Sequence, residues 1–314
     1  MSSIENYITT LNAPKGLQVY DNFLFVIYDT NKIAKINVAT DAIEAPYITL
    51  SNGINSSSDI RIVNNELYIW VHLGNPSRII SVNLTTKTNT TLVNSIINLD
   101  DLKSITNDSD NLYLYTILNL GTEFLTKIDI PNASSVNYNF AGNIINAPDN
   151  LFRYIVYYDN YLYLIGNGST NIGRVSTINP MIDKTGEWLT GISNNSYDAV
   201  IKNDNLYVIT GNTISHIDIN TKTINSNFIT GLSTNSRYIS KNHSAFYVSN
   251  EIDSIIYKIS YTEPPIPPIP LNLYDRANLL KIPLYRNNSK VFYKQHSYSS
   301  GGTVVNHRKK QRKT

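Results

Sequence analysis

Along most of the chain, apolar and polar residues alternate in short bursts, and one burst recurs six times. It opens at a polar turn, usually with Asp or Asn, and runs through an apolar and aromatic strand. A second polar turn follows, then another apolar strand ending in Asn, Asp or Ser. The first strand reads Asp21-Asn22-Phe23-Leu24-Phe25, then Asn64-Asn65-Glu66-Leu67-Tyr68, Asp110-Asn111-Leu112-Tyr113, Asp159-Asn160-Tyr161-Leu162-Tyr163, Asp204-Asn205-Leu206-Tyr207 and His243-Ser244-Ala245-Phe246-Tyr247. The aromatic anchors Phe25, Tyr68, Tyr113, Tyr163, Tyr207 and Tyr247 stand 40 to 50 residues apart. Second strands are predicted over residues 33–38, 79–84, 125–130, 174–179, 214–219 and 255–261, with the pairs Ile36-Asn37, Val82-Asn83, Ile128-Asp129, Ile178-Asn179, Ile217-Asp218 and Ile259-Ser260 keeping the register. A further strand precedes each anchor, and another follows the second strand, as at Tyr47-Ile48-Thr49-Leu50, Trp188-Leu189-Thr190-Gly191 and Phe228-Ile229-Thr230-Gly231. β-Branched and aromatic residues suit half-buried strands, and Asn suits turns.

Four strands in each such interval predict an all-β fold: a six-bladed β-propeller of four-stranded blades over residues 1–263. The ends of the repeat sharpen this. The sixth unit runs from its third strand into Thr262-Glu263-Pro264-Pro265, so its fourth strand is missing, whereas Asn6-Tyr7-Ile8-Thr9-Thr10-Leu11 has the fourth-strand pattern and no blade before it. The N-terminal strand is therefore expected to close the ring as the outer strand of the last blade, removing an exposed edge. A β-sandwich shares the alternation and turn spacing but has no reason to repeat one anchor at a steady interval.

The segment from Pro14 to Asn37, with Gly16-Leu17, Asp21-Asn22, Leu24-Phe25-Val26 and Asp29-Thr30-Asn31-Lys32-Ile33, resembles an NHL repeat, and Ser249-Asn250-Glu251-Ile252-Asp253 partly echoes it. At the level of pattern, residues 1–263 resemble the superfamily of NHL and gluconolactonase-like six-bladed propellers. That resemblance implies two opposite expectations. Some such propellers are metal-dependent lactonases that hold a divalent ion over the central channel with a Glu, two Asn and an Asp, hard oxygen donors suited to such cations. Where the first Glu would stand, this chain reads Ala13-Pro14-Lys15-Gly16, and a lysine repels the ion. Others bind RNA, which needs a basic stripe interleaved with aromatics.

Charge speaks against that second expectation. Ten of the 26 basic residues but only one of the 24 acidic ones fall in residues 264–314, leaving the body with an excess of seven negative charges and the tail with nine positive ones. Pro264-Pro265-Ile266-Pro267-Pro268-Ile269-Pro270 cannot continue a central strand, so residues 264–275 read as an extended spacer and 276–314 as a basic tail. Within the tail, Leu279 to Tyr285 and Val291-Phe292-Tyr293 are apolar enough to dock on the propeller or a partner, and Ser299-Ser300-Gly301-Gly302 reads as flexible. Arg308, Lys309, Lys310, Arg312 and Lys313 form a dense run suited to nucleic acid, an acidic protein surface or a transport receptor, or simply to solvation.

Candidate chemistry is sparse. With no cysteine there is no disulfide, thiolate metal site or Cys nucleophile, and a reducing compartment is expected. None of His72, His216, His243, His296 and His307 forms a zinc-type spacing; His216 sits on a strand, where a solvated or hydrogen-bonded face histidine is expected rather than a general base. Neither a Gly-x-Ser-x-Gly elbow nor a phosphate-cradling glycine loop is present. Counting back nine or ten residues from each anchor gives Lys15, Asp59, Lys103, Arg153, Asp198 and Arg237, one charge at the start of every innermost strand. Those starts converge around one mouth of the channel, where the six bind an acidic group, peptide or ligand, are ordinary charges of solvated turns, or pair among themselves.

The sequence thus predicts a non-catalytic interaction or structural platform, with no cofactor, that engages a protein partner in a larger assembly through its loop faces and its tail. The lack of a signal-like start and of any bilayer-length apolar run predicts a soluble, intracellular protein. Its Asn/Ile/Lys/Tyr bias resembles proteins of A+T-rich genomes, large DNA viruses included, so a virion is one such assembly. The rivals are a metal-dependent lactonase or hydrolase at the channel mouth, and sugar binding by Tyr-rich loops.

Overall fold

In the computed structural model, the recurring Asp and Asn residues sit where backbone geometry asks for them. The pairs Asn64/Asn65, Asp159/Asn160 and Asn203/Asp204 all have positive φ, which two-residue hairpin turns of the right-handed-twist type require and short polar side chains tolerate. At the next hairpin of blades 1, 2 and 5, the residue that closes the third strand folds the loop with its side chain: Asn37 Oδ1 accepts from the Ala39 and Thr40 amides, Asn83 Oδ1 from Thr85 and Thr86, and Asp218 Oδ1 from Asn220 and Thr221.

The structure describes residues 3–29, 31–50, 59–71, 77–96, 104–108, 111–118, 122–139, 152–166 and 168–261, with the backbone of 282–287, 290–294, 297–298 and 304–305. Residues 1–262 and 263–314 are separate compact units. In the first, six four-stranded antiparallel sheets follow one another as blades over residues 17–49, 60–96, 105–139, 152–190, 196–230 and 236–260. The sixth holds three strands of its own plus Ser3–Ile8, which pairs with Ile255–Ser260 from Ser3 opposite Ser260 to Ile8 opposite Ile256. Ring closure by the N-terminal strand is therefore as the repeat implied. In the second unit, Ile282–Asn287 pairs with Lys290–Lys294, and Ser297–Tyr298 with Val304–Val305. The Pro-rich spacer, His72, and the side chains of Arg308, Lys309, Lys310, Arg312 and Lys313 lie outside the described residues.

Blades pack face to face, so the anchor strands of blades 1, 4, 5 and 6 are buried on both sides. In blade 1, Leu24 and Val26 join the core shared with blade 6, while Phe25 and Ile27 join the one shared with blade 2. Blade 4 departs from expectation. Its third strand is Asn171–Ser176, three residues earlier than 174–179, and Val175-Ser176 hold the place given to Ile178-Asn179, opposite Leu162 and Tyr161. Ile178 lies instead in the following loop and is 67 % exposed. The reason is a longer hairpin: the closing amide-to-carbonyl bond runs from Ser176 to Asp183, against Asn37 to Ala42, Asn83 to Thr88 and Asp218 to Thr223 in blades 1, 2 and 5.

Candidate functional site

Six innermost strands wall the central channel, which is called upper where they begin and lower where they end. Opposite the anchors stand Gln18, Arg61, Thr106, Val156, Val200 and Ser240. An innermost strand has one sheet edge with no further strand, so its free amides need other acceptors. Side chains from the preceding blade supply them. Gln18 Oε1 takes the Ile62 amide at 2.8 Å, Thr106 Oγ1 the Tyr157 amide at 3.0 Å, and Ser240 Oγ the Val19 amide at 2.8 Å, the last bond joining blade 6 to blade 1.

Two aspartates do the same nearer the upper mouth. Asp59 Oδ1 accepts from the Ile60 amide at 2.8 Å and from Arg61 Nη1 at 2.9 Å, while its Oδ2 accepts from the Ile105 amide at 3.2 Å and the Ser104 hydroxyl at 3.1 Å. Asp198 repeats the pattern, taking its neighbour's amide, Ala199, at 2.9 Å and the next blade's, Ile239, at 3.1 Å. Both are 1 % exposed. These carboxylates staple blade 2 to blade 3 and blade 5 to blade 6.

The four described members of the proposed charged ring therefore split by role. Asp59 and Asp198 are walled in as staples. Lys15 is also buried, with Nζ 3.9 Å from Glu251 and its carbonyl accepting from Ser249. Arg237 stacks 3.9 Å over the Tyr197 ring and donates to the carbonyls of Thr234 and Ser236. Register shifts interrupt the pairing of the innermost strand in blades 4, 5 and 6, between Phe152 and Tyr154, Ser196 and Ala199, and Ser236 and Tyr238, so Asp198 and Arg237 stand at bulges rather than in regular register. Lys103 and the side chain of Arg153 lie outside the described residues.

Three tyrosines meet in the upper channel. Tyr154 of blade 4 meets Tyr238 of blade 6 edge to face at 6.4 Å and Tyr197 of blade 5 at 6.1 Å, all three buried. Below this plug lies a cavity of about 300 Å3, lined by the lower halves of the innermost strands and carrying Arg61, Thr106, Asn107, Tyr157 and Lys241. The sequence marks two of them, since Arg61 and Thr106 hold the position opposite the anchor, a constant seven residues before it in every blade, and Asn107, Tyr157 and Lys241 each stand one residue further on.

Electrostatics across the channel couples opposite blades. Burial drives the Asp198 carboxyl up to about 7, and the Asp59 charge adds to this, against Arg61 and the two amide bonds. Burial likewise raises Asp59, opposed by Arg61. In a folded molecule between the ordinary Asp range and pH 7, Asp198 keeps a proton that the unfolded chain has released. The stabilisation linked to that proton is complete below the unfolded value of about 4 and is lost as pH rises through about 7. Urea midpoints are expected to fall between about pH 5.5 and about pH 8, and the Asp198→Asn variant to lose most of that slope. An equal slope in both proteins would place the titrating group elsewhere.

A lactonase-type metal fits these donors poorly. A cation at the plug would have to take Asp59 oxygens from Arg61, Ser104 and two amides, and its next neighbours would be tyrosine rings. Among the described residues, no three His, Cys, Asp or Glu side chains gather at metal-binding range. His216 is a structural face histidine: Nε2 pairs with Asn205 Oδ1 at 2.8 Å, its ring packs on Tyr207 and Phe228, and burial lowers its pKa.

No family model and no curated protein matches the sequence. Solved structures do match the fold. A luciferin-regenerating enzyme superposes with a TM-score of 0.62 at 11 % identity, covering 84 % of this chain and 96 % of that one. Virginiamycin B lyase from Staphylococcus aureus gives 0.57 at 13 %, covering 83 % and 99 %. An auxiliary nutrient binding protein from Bacteroides thetaiotaomicron gives 0.58 at 12 %, covering 81 % and 70 %. Six-bladed propeller enzymes and a binding protein thus share this architecture, and the fold by itself assigns neither role.

Proposed function

We propose that this propeller is a non-catalytic platform that binds a protein partner through a loop face, within a larger assembly that its basic tail helps to hold. The observation that carries the reading is the long hairpin of blade 4. It presents Ile182 at 85 % exposure, Ile178 at 67 % and Met181 at 49 %, three large apolar side chains on one loop. Single exposed apolar residues are ordinary, but such a cluster is the usual signature of a contact anchor.

The hairpin is also held in shape before any partner arrives, which lowers the entropy lost on binding. Ser176 Oγ accepts from the Ile178 and Asn179 amides, Asp183 N donates to Asn179 O, and Tyr161 donates to Asp183 at 3.0 Å beneath the Arg174 guanidinium. The occupied upper channel supports the same reading, because its carboxylates are committed to holding blades together. The assembly we propose to test first is a virion, on the strength of the Asn/Ile/Lys/Tyr bias. No described helix is long and apolar enough to cross a membrane.

Affinity capture with three baits tests this: the full chain, the Ile178→Ser/Ile182→Ser double variant, and residues 1–263. The double variant is expected to lose its main partner by about tenfold or more while keeping its thermal midpoint. The truncation is expected to stay a folded monomer and lose the assembly. A partner retained equally by all three baits refutes both parts of the proposal.

A further inference from the structure

The charges around the lower channel are not balanced. Arg61 is neutralised by Asp59, with Nη1 2.9 Å from Oδ1. Lys241 lies in the wall of the cavity, half-buried, and among the described residues it has neither a hydrogen-bond partner nor an ion pair. Its nearest charged influence is unfavourable: burial lowers the ammonium's pKa, and the Lys202 cation lowers it further. Lys202 itself donates to the His243 carbonyl at 2.9 Å and sits over the Tyr261 ring at 4.5 Å. The carboxylate of Asp204 is engaged by the Tyr158 hydroxyl. A partly desolvated ammonium with no counter-ion is a cost to the fold, and it is relieved by an anion that enters the space beside it.

The rest of the wall suits a small organic body. Tyr157 stacks on Tyr113 at 5.9 Å and 5° and offers an aromatic edge, Val156 and Ile201 are apolar, and Asn107 adds an amide. The hydroxyl of Thr106 and the carbonyl of Gln18 already accept backbone amides from the neighbouring blade, which leaves Lys241 to select the ligand's charge. The cavity volume, about 300 Å3, is at the small end for ligand sites.

We propose that the lower half of the channel is a binding site for a small oxyanion, a carboxylate or phosphate group held by Lys241, with any organic remainder against Tyr157 and Ile201. The site lies below the tyrosine plug and is independent of the blade 4 hairpin, so it survives if the platform reading fails.

Calorimetric titration of the full-length protein at low ionic strength with inorganic phosphate, acetate and benzoate tests it. Saturable binding of at least one probe is expected, weakened about tenfold or more in Lys241→Met and largely kept in Lys241→Arg, with Lys222→Met as a surface control that binds normally. Binding of phosphate alone assigns a phosphoryl ligand; binding of the carboxylates alone, with benzoate tighter than acetate, assigns an aromatic or apolar acid. In the absence of any probe, Lys241→Met is expected to melt at the same temperature as the parent or higher, since it removes an uncompensated charge. No saturable binding by any of the three, equal binding by Lys241→Met, or a lower melting temperature of that variant overturns the proposal.

Discussion

Deletion of residues 1–11 is expected to abolish the cooperative folded state or lower its stability by about 5 kcal/mol or more, a large fraction of what a single domain possesses. The segment contributes the outer strand of blade 6, and Ile8 and Leu11 are 5 % and 3 % exposed within the core shared by blades 1, 4, 5 and 6. Tyr7 adds a clasp to blade 1. Its ring lies 5.6 Å from Tyr247 and under the Lys258 ammonium at 4.7 Å, and its hydroxyl donates to Asp41 at 2.7 Å. Without the strand, Ile255–Ser260 becomes a free edge and the seam between blades 6 and 1 opens. Urea denaturation followed by the fluorescence of Trp70 and Trp188 measures the loss. A circular permutant that carries the same strand after residue 260 is expected to recover the parent's midpoint. If the truncated chain unfolds at the parent's urea concentration, closure is decorative and the account of the ring is wrong.

The second large effect is at Asp59. Replacing it with Ala is expected to cost about 3–5 kcal/mol, because it removes the counter-ion of a part-buried guanidinium and takes the acceptor from the amides of Ile60 and Ile105 and the Ser104 hydroxyl. Asp59→Asn is expected to fall between: one oxygen still serves Ile60 and Arg61, but the new amide NH2 faces the Ile105 N–H donor to donor. Arg61→Met is expected to be milder than Asp59→Ala, since the carboxylate keeps its amide donors. The ordering of urea midpoints, parent, then Arg61→Met and Asp59→Asn, then Asp59→Ala, checks the staple. A cost at Asp59→Ala below about 1 kcal/mol, the range of a surface residue, would sink it.

Where the recurring pattern was dense, the chain announced its own architecture. Blade number, the anchors from Phe25 to Tyr247 and closure by the N-terminal strand all follow from local periodicity, because strands, hairpin turns and capping Asn or Asp residues are set by neighbours a few positions away. The one register error, Ile178 placed in a strand, arose where blade 4 lengthens its hairpin and Ser176 takes over the capping role that Asn37 or Asp218 plays elsewhere. An apolar residue followed by Asn imitates the strand end in sequence, although its side chain stands in solvent.

The site was less visible for a different reason. Charge at the start of each innermost strand was plain in the sequence, but not its fate. A shift of one residue turns a side chain to the opposite face of a strand, and the bulges that cause such shifts in blades 4, 5 and 6 leave no mark in the amino-acid spacing, since a count of nine or ten occurs with and without them. Composition and periodicity alone therefore determined that this chain is a closed ring of six sheets with a basic extension. Tertiary structure decided that Asp59 and Asp198 become staples, that tyrosines plug the upper channel and that Lys241 has no partner among the described residues, because those outcomes depend on contacts between distant segments. The bond from Val19 to Ser240 spans 221 residues, and only the closed ring brings its two ends within 2.8 Å.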